Sequence, residues 1–173
     1  MKILGIDPGL DGGLIMLNGV GDILEKRPMP VLSVKGKGKR NPDLPRIVEL
    51  LQDLGPNITY LEKVSARPGN GNVSMFNFGF GFGALVMGLT ALSLPYVLVL
   101  PQTWCKVMHQ TLPAKIKADK GIKAKQRSLM VFHQMYPELE LRKPGQRKTT
   151  VHSGMMDALL IAEYGRRDYI QHM

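Results

Sequence analysis

The sequence predicts a mixed α/β fold in which a five-stranded sheet is flanked by helices. The first thirty residues contain three short apolar strands joined by tight turns, at 2–7, 14–17 and 23–27. Two later strands, at 58–62 and 96–100, are separated by segments with helical spacing. Three hairpin-linked strands followed by alternating helices and strands predict antiparallel pairing first and parallel pairing afterwards.

The turns between the first strands are marked by glycine. A glycine-rich turn spans 9–13, a second turn spans 19–22, and Pro28 and Pro30 end the third strand. Glycine and proline mark such reversals because they favour backbone angles that other residues avoid. The polar segment 34–40 has no periodicity, and a loop is expected there.

The first helices follow from the spacing of apolar residues and from their stop signals. A helix is expected over 45–54, and Gly55 ends it. A loop rich in glycine and asparagine over 66–73 precedes a second helix over 74–91. Ser74 is the expected cap of this second helix, because serine side chains accept hydrogen bonds from first-turn amides.

The C-terminal third is expected to be helical. A short helix is predicted at 104–108, and a lysine-rich connector then leads to a helix at 122–136, which Pro137 ends. The last helix is expected to run from its cap, Ser153, to about residue 167.

Composition points to one basic domain with an anionic partner. The chain has 173 residues, of which 44% are hydrophobic and 21% charged, and its formal net charge is +9. This length predicts a single domain over 1–173. An excess of positive charge favours a polyanionic substrate such as nucleic acid.

Several classes of protein are not expected. The sequence contains no apolar run of about 18 residues and no signal-peptide pattern at its start, so a cytoplasmic location is expected, in the host if the chain is phage-encoded. The single cysteine, Cys105, excludes an internal disulfide and a cysteine zinc cluster. Cys105 is interpreted as a packing residue.

Three acidic residues stand next to apolar segments. Asp7 and Glu62 each end an apolar strand, and Asp157 begins an apolar stretch of the last helix. A carboxylate near a core is unfavourable unless a cation meets it, and divalent metals take oxygen ligands of this kind. If the first and fourth strands are parallel neighbours, Asp7 and Glu62 emerge at the same sheet edge. The last helix then adds Asp157, and metal-dependent cleavage of nucleic acid is the first hypothesis.

Three motifs carry a family resemblance: Ile6-Asp7-Pro8-Gly9, Leu61-Glu62-Lys63-Val64 and the segment His152 to Ala162. In this order and spacing they resemble the RuvC family of Holliday junction resolvases, in particular its phage and chloroplast-like branch. The resemblance spans nearly the whole chain. It implies an RNase H-like (retroviral integrase superfamily) fold, a homodimer, and two Mg²⁺ ions per site, with Mn²⁺ as a substitute. The implied reaction is that of a crossover junction endodeoxyribonuclease, which hydrolyses phosphodiesters by paired symmetric nicks in four-way DNA.

Carried over by position, the resemblance assigns Asp7, Glu62 and Asp157 as catalytic metal ligands. Relatives carry a fourth acidic position one helical turn before the last acid, where some have histidine. Here Gly154 lies three residues before Asp157 and Ser153 lies four before it. Ser153 is therefore assigned as the catalytic position that departs from the pattern. Either the chain naturally uses Ser153 or His152 through water, or the fourth ligand has been replaced by an inactivating substitution.

The expected DNA contacts come from three basic runs and one flexible loop. Neutralisation of phosphates by such side chains predicts a steep salt dependence. The alternative is that the basic runs are solvated loops and that the aromatic rings are core or dimer contacts. The candidates are Lys35, Lys37, Lys39, Arg40, Arg67, Asn70, Asn72, Phe76, Lys115, Lys117, Lys123, Lys125, Arg147 and Lys148.

Other readings of the same residues stay open at this point. Asp7 alone could cap the turn at Gly9, and Glu62 could pair with Lys63. An RNase H-like nuclease acting on RNA–DNA hybrids or other branched DNA would keep the fold and change the substrate. A catalytically impaired dimer that binds junctions without cutting them is the alternative motivated by Ser153.

Overall fold

The computed structural model describes residues 1–33, 40–63, 65, 71–142 and 151–172, apart from the side chains of Asn72 and Ser74. Its strands in these ranges are β1 (Lys2–Asp7), β2 (Gly13–Asn18), β3 (Ile23–Pro28), β4 (Val31–Ser33), β5 (Arg40–Pro42), β6 (Ile58–Glu62) and β7 (Tyr96–Val99). Its helices are α1 (Leu44–Leu54), α2 (Asn72–Ala91), α3 (Pro101–His109), α4 (Ala114–Ala118), α5 (Ala124–Met135) and α6 (Ser153–Gln171). None of the helices in these ranges is long and apolar enough to cross a membrane.

The main sheet has the order β3-β2-β1-β6-β7. β1 pairs antiparallel with β2 and parallel with β6, and β6 pairs parallel with β7. The predicted mixed five-stranded sheet is therefore confirmed. Ile6 lies opposite Leu61 in the parallel pair, so the next residue of each strand, Asp7 and Glu62, leaves the sheet at the same edge.

Alternate residues of β1 serve two different cores. Leu4 and Ile6 are buried on the face covered by α1 and α2, whereas Ile3 is buried on the face covered by α3, α5 and α6. Gly5 also points to this second face, where a Cβ atom would meet the backbone of Ala158 and Ala162 in α6. The missing side chain at Gly5 therefore lets α6 lie directly on β1.

Two elements were not predicted. Val31–Ser33 and Arg40–Pro42 pair antiparallel as a separate two-stranded hairpin, so Arg40 belongs to a strand and not to the expected loop. Three-residue strands are too short to show a period of two. The lysine-rich connector contains the short helix α4, and α3 begins at Pro101, earlier than expected.

Both predicted helix caps were wrong. α2 is preceded by Gly71 in an extended conformation, so Ser74 lies inside the helix. The cap of α6 is His152, whose Nδ1 accepts a 3.1 Å hydrogen bond from the amide of Met155, and Ser153 is the first helical residue. A histidine nitrogen thus does here what the serine hydroxyl was expected to do.

Candidate active site

The carboxyl ends of β1 and β6 position the first two acidic residues. Asp7 Oδ1 accepts a 3.1 Å hydrogen bond from the amide of Gly9, so Asp7 both caps its turn and stands at the sheet edge. Glu62 Oε1 accepts a 2.9 Å hydrogen bond from Nε1 of the buried Trp104 in α3. These bonds fix both carboxylates on well-packed elements.

The close approach of α6 brings the third acid to the same place. Besides the contact at Gly5, a Cβ atom at Gly154 would meet the backbone of Asp11 and Gly12 in the glycine-rich turn. Glycine at both positions allows the N-terminal turns of α6 to lie against β1 and this turn. Asp157, one turn into the helix, is therefore held beside Asp7.

The electrostatics of the site show that the three acids interact. Burial, the charge of Asp7 and, more weakly, that of Glu62 raise the pKa of Asp157 to about 7, against the charge of Lys125. Burial raises the pKa of Asp7 as well, although its bond to Gly9 and the charge of Lys125 oppose the shift. The site therefore attracts positive charge.

Cys105 lies at the border of this acidic site. Burial first, and then the charges of Asp157 and Glu62, raise the pKa of its thiol to about 12. A thiol with such a pKa stays protonated at neutral pH and is a poor nucleophile. The prediction that Cys105 is a packing residue agrees with its contacts in the core under α3.

The carboxylate oxygens of the site suit a hard divalent cation, but few protein side chains can bind one ion at the same time. Within the described residues, no group of three or more His, Cys, Asp and Glu side chains is arranged to hold a metal ion. Mg²⁺ usually takes only one or two carboxylates and completes its shell with water and substrate phosphate. The partly buried, mutually repelling pair Asp7 and Asp157 matches that requirement.

Lys125 was predicted as a DNA contact. In the structure, it acts electrostatically on Asp7 and Asp157. It is exposed near the start of α5, and its charge lowers the pKa of both Asp7 and Asp157. With Ser153 and Met156 it lines a cavity of about 470 Å³ between α5 and α6. Ser153 therefore stands beside Lys125 at the edge of the site.

The remaining predicted DNA contacts have different positions. Lys115, Lys117 and Lys123 are exposed on α4 and just before α5, in the same basic stretch of the chain as Lys125. Phe76 is an exposed ring on α2. Arg40 binds Asp11 through two hydrogen bonds. The candidates that lie outside the described residues or side chains are Lys35, Lys37, Lys39, Arg67, Asn70, Asn72, Arg147 and Lys148.

Two partners of the acidic residues were missed by sequence reasoning. Trp104 gave no polar signal, because its indole contact with Glu62 depends on the packing of α3 against β6. Asp11 was overlooked although it lies four residues after Asp7 in the glycine-rich turn, and its charge contributes to the raised pKa of Asp7. The presence of a second acidic residue in so short a turn could have identified Asp11 from the sequence.

The raised pKa of Asp157 predicts a stability change in metal-free protein. Between the ordinary value of 3.8 and about 7, only the folded chain keeps the proton, so the free energy of unfolding falls as pH rises through this interval. Asp157→Asn removes this loss, which is at most about 4 kcal/mol at pH 8 because one pKa unit corresponds to about 1.36 kcal/mol. We expect the variant to melt several degrees higher at pH 8 in EDTA.

Thermal unfolding followed by circular dichroism at pH 4 and pH 8 measures this effect. The advantage of Asp157→Asn should shrink towards pH 4, where wild type is protonated as well. Asp53→Asn on the exposed side of α1 is the matched control and should leave the melting temperature unchanged. Equal shifts for the two variants at pH 8 would contradict the prediction.

Comparison with known proteins supports the fold through structure and not through sequence. No protein-family model matches the sequence, and no curated protein matches it. The solved complex of Thermus thermophilus RuvC with a Holliday junction substrate matches with a TM-score of 0.62 and 18% identity, over 98% of this chain and 96% of that one. A further Thermus thermophilus RuvC structure matches with a TM-score of 0.56 and 18% identity, over 99% and 97% of the two chains. The chain thus has the RNase H-like fold of RuvC.

Proposed function

We propose that this chain is a metal-dependent endodeoxyribonuclease that resolves four-way DNA junctions by paired symmetric nicks. The observation that carries the proposal is the pair of interacting acids Asp7 and Asp157, with Glu62 leaving the sheet at the same edge as Asp7, in a fold shared with RuvC. RuvC of Thermus thermophilus has been solved with a Holliday junction substrate. The net charge of +9 suits the same class of polyanion. We assign the activity to a single domain over 1–173.

Asp7, Asp157 and Glu62 are the residues that would hold Mg²⁺ or Mn²⁺, together with oxygens of the substrate phosphate. Two bound ions would activate a water molecule and stabilise the leaving 3′ oxygen. The repulsion between Asp7 and Asp157 favours the binding of a cation between them. The same repulsion destabilises the folded chain when no cation is bound.

Other residues of the chain orient and balance these carboxylates. Trp104 donates to Oε1 of Glu62 and so fixes the direction in which this carboxylate leaves the sheet. The charge of Lys125 favours the ionised forms of Asp7 and Asp157, and its ammonium group would attract a phosphate that approaches these acids. The exposed lysines of α4 and the start of α5 extend this positive surface along the DNA backbone.

The test is an incubation with a synthetic four-way junction, a linear duplex and an RNA–DNA hybrid of the same sequences, each in Mg²⁺ and in Ca²⁺. The proposal expects symmetric nicks in opposite strands of the junction, in Mg²⁺ only. Cleavage of the hybrid in preference to the junction would replace it with a hybrid-specific nuclease.

The absence of an acid one turn before Asp157 supports a second candidate, a dimer that binds junctions without cutting them. Gly154 leaves no room for a side chain, and the neighbouring Ser153 carries no charge. Tight junction binding without cleavage, with cleavage restored by Ser153→Asp, would establish this alternative. Efficient cleavage by the wild type would exclude it.

We propose further that the chain is a homodimer that pairs through α2. This helix is apolar around its whole circumference, which is typical of helices covered on every side. Five of its exposed residues recur at spacings of three and four, the pattern of a helix–helix seam. This α2 stripe consists of Val73, Phe76, Phe80, Gly83 and Met87. A second copy would cover it by the same helix, as two-fold symmetry requires.

A charge in the α2 stripe should separate the two copies. Phe80→Asp is expected to shift the particle from dimer to monomer at micromolar concentration, because an unpaired carboxylate is costly at a helix seam. Sedimentation or light scattering coupled to gel filtration measures the mass. Val20→Asp, at an apolar residue that is 79% exposed in the turn before β3, is the control and should leave the mass unchanged. A wild-type monomer would remove the proposal.

A further inference from the structure

A salt bridge joins the glycine-rich turn to the small hairpin at the margin of the acidic site. Arg40, the first residue of β5, donates from both terminal nitrogens to the two carboxylate oxygens of Asp11, at 2.9 and 2.7 Å. The pair is solvent-accessible, with 38% of the Arg40 side chain and 62% of the Asp11 side chain exposed. It is therefore bidentate in geometry and weak in net energy.

Asp11 lies at the acidic site and not merely near it in sequence. Its backbone occupies the space that a side chain at Gly154 would need, three residues before Asp157. Its turn is closed by a 2.7 Å hydrogen bond from Gly12 to Gly9 and by the bond from Gly9 to Asp7. The glycine-rich turn thus places Asp11 against α6 at Gly154, where the helix has no acidic residue.

Arg40 holds Asp11 in the way that it would hold a phosphate. A guanidinium presents the same planar pair of donors to a carboxylate and to a phosphodiester. A DNA strand whose scissile phosphate reaches Asp7 and Asp157 carries further phosphates within the span of the turn and the hairpin. Such a phosphate would compete with Asp11 for Arg40, since one guanidinium edge cannot bind both.

We propose that the Arg40–Asp11 pair is an exchangeable latch, in which a DNA phosphate displaces the Asp11 carboxylate from Arg40 and Asp11 then serves as a fourth carboxylate at the site of Asp7 and Asp157. The latch rests on the proposed nuclease function and adds to it. It couples arrival of the substrate to an increase in negative charge beside the metal-binding acids. While the pair is closed, the positive charge of Arg40 partly offsets the repulsion between Asp11 and Asp7.

The first half of the proposal concerns phosphate binding and is tested without cleavage. Junction affinity is measured by fluorescence anisotropy in EDTA over a range of salt concentrations. Asp11→Asn should tighten binding about fivefold, because Arg40 loses its competitor. Arg40→Gln should weaken binding and reduce the slope of log K against log salt by about one, the effect of one lost phosphate contact.

A matched pair on α1 controls for net charge. Glu49 forms a salt bridge with Arg46 at 3.0 Å, and its side chain is 62% exposed like that of Asp11, so Glu49→Gln removes one negative charge from an equally exposed carboxylate. Its effect on junction affinity should be under twofold. In the Arg40→Gln background, Asp11→Asn should have no further effect on affinity. Equal effects of Asp11→Asn and Glu49→Gln, or an Asp11→Asn effect that persists without Arg40, would overturn the latch.

The second half concerns the cation and is tested by calorimetry with Ca²⁺, which takes the same oxygen ligands. Asp11→Asn should lower Ca²⁺ affinity several-fold in the complex with junction DNA and leave it unchanged in the free protein. The junction is checked for intactness on a denaturing gel. An equal loss in both states, or none in the complex, would overturn the fourth-carboxylate role. A wild type that binds no junction would instead refute the proposed function.

Discussion

Replacing Asp7 with asparagine is expected to reduce junction cleavage at least about 10³-fold while changing junction affinity less than about threefold. The substitution removes a charge from the proposed metal site and leaves the fold intact. The side-chain oxygen of the introduced asparagine can still accept the amide hydrogen bond of Gly9, which the wild-type carboxylate accepts at 3.1 Å. The loss therefore reports on the cation and not on the turn.

Single-turnover cleavage of a labelled four-way junction in Mg²⁺ measures the rate, and anisotropy in Ca²⁺ measures affinity. Asp53→Asn, an isosteric change at an exposed carboxylate of α1, is the control and should cleave at the wild-type rate. Because burial raises the pKa of Asp7, its removal should also stabilise the metal-free protein. Cleavage at a tenth of the wild-type rate or more would remove Asp7 from the metal site.

The parts of the fold that the sequence predicts are those with a strong local period and clear stop signals. The strands around Ile3 and Tyr60 are continuous apolar segments ended by an acid, and α1 has helical spacing and ends at Gly55. The parallel pairing of β1 with β6 follows from the order of the elements. With β1 and β6 taken as parallel neighbours, the exit of Asp7 and Glu62 at the same sheet edge was predictable.

What the sequence does not predict depends on contacts between distant segments. The hairpin of β4 and β5 has three residues per strand, and its contact from Arg40 to Asp11 joins residues 29 positions apart in the sequence. The packing of α5 against α6 brings Lys125 close to Asp7 and Asp157. The number of basic residues in the sequence does not predict this position. The indole donor of Trp104 is buried among apolar side chains for the same reason.

The packing of α6 explains why the chain has no acidic residue one turn before Asp157. From sequence, Ser153 and Gly154 look like the loss of a ligand from an otherwise conventional helix. In the folded chain, Gly154 is the residue that permits the contact between α6 and the turn at Gly12. A side chain and this contact exclude each other, so the glycine belongs to the architecture of the site.

Introducing an acid at Gly154, three residues before Asp157, should therefore damage the protein. Gly154→Asp is expected to lower the free energy of unfolding by about 3 kcal/mol, because its side chain would overlap the backbone of Asp11 and Gly12. For a chain of this size that corresponds to a melting temperature roughly 6–12 °C lower. The displaced helix would also carry Asp157 away from Asp7, so cleavage should fall with stability.

Two comparisons separate the steric effect of a side chain at residue 154 from the effects of its charge and of its helix propensity. Gly79→Ala, at a glycine of α2 with nothing within 4 Å of its added Cβ, should stabilise by up to about 1 kcal/mol, whereas Gly154→Ala should destabilise. Ser153→Asp places the charge one residue earlier, beside Lys125 and outside the tight contact, and should leave the melting temperature within about 2 °C of wild type. Scanning calorimetry decides between them. If Gly154→Asp melts like Ser153→Asp, α6 can move away from the turn, and the close approach does not fix Asp157.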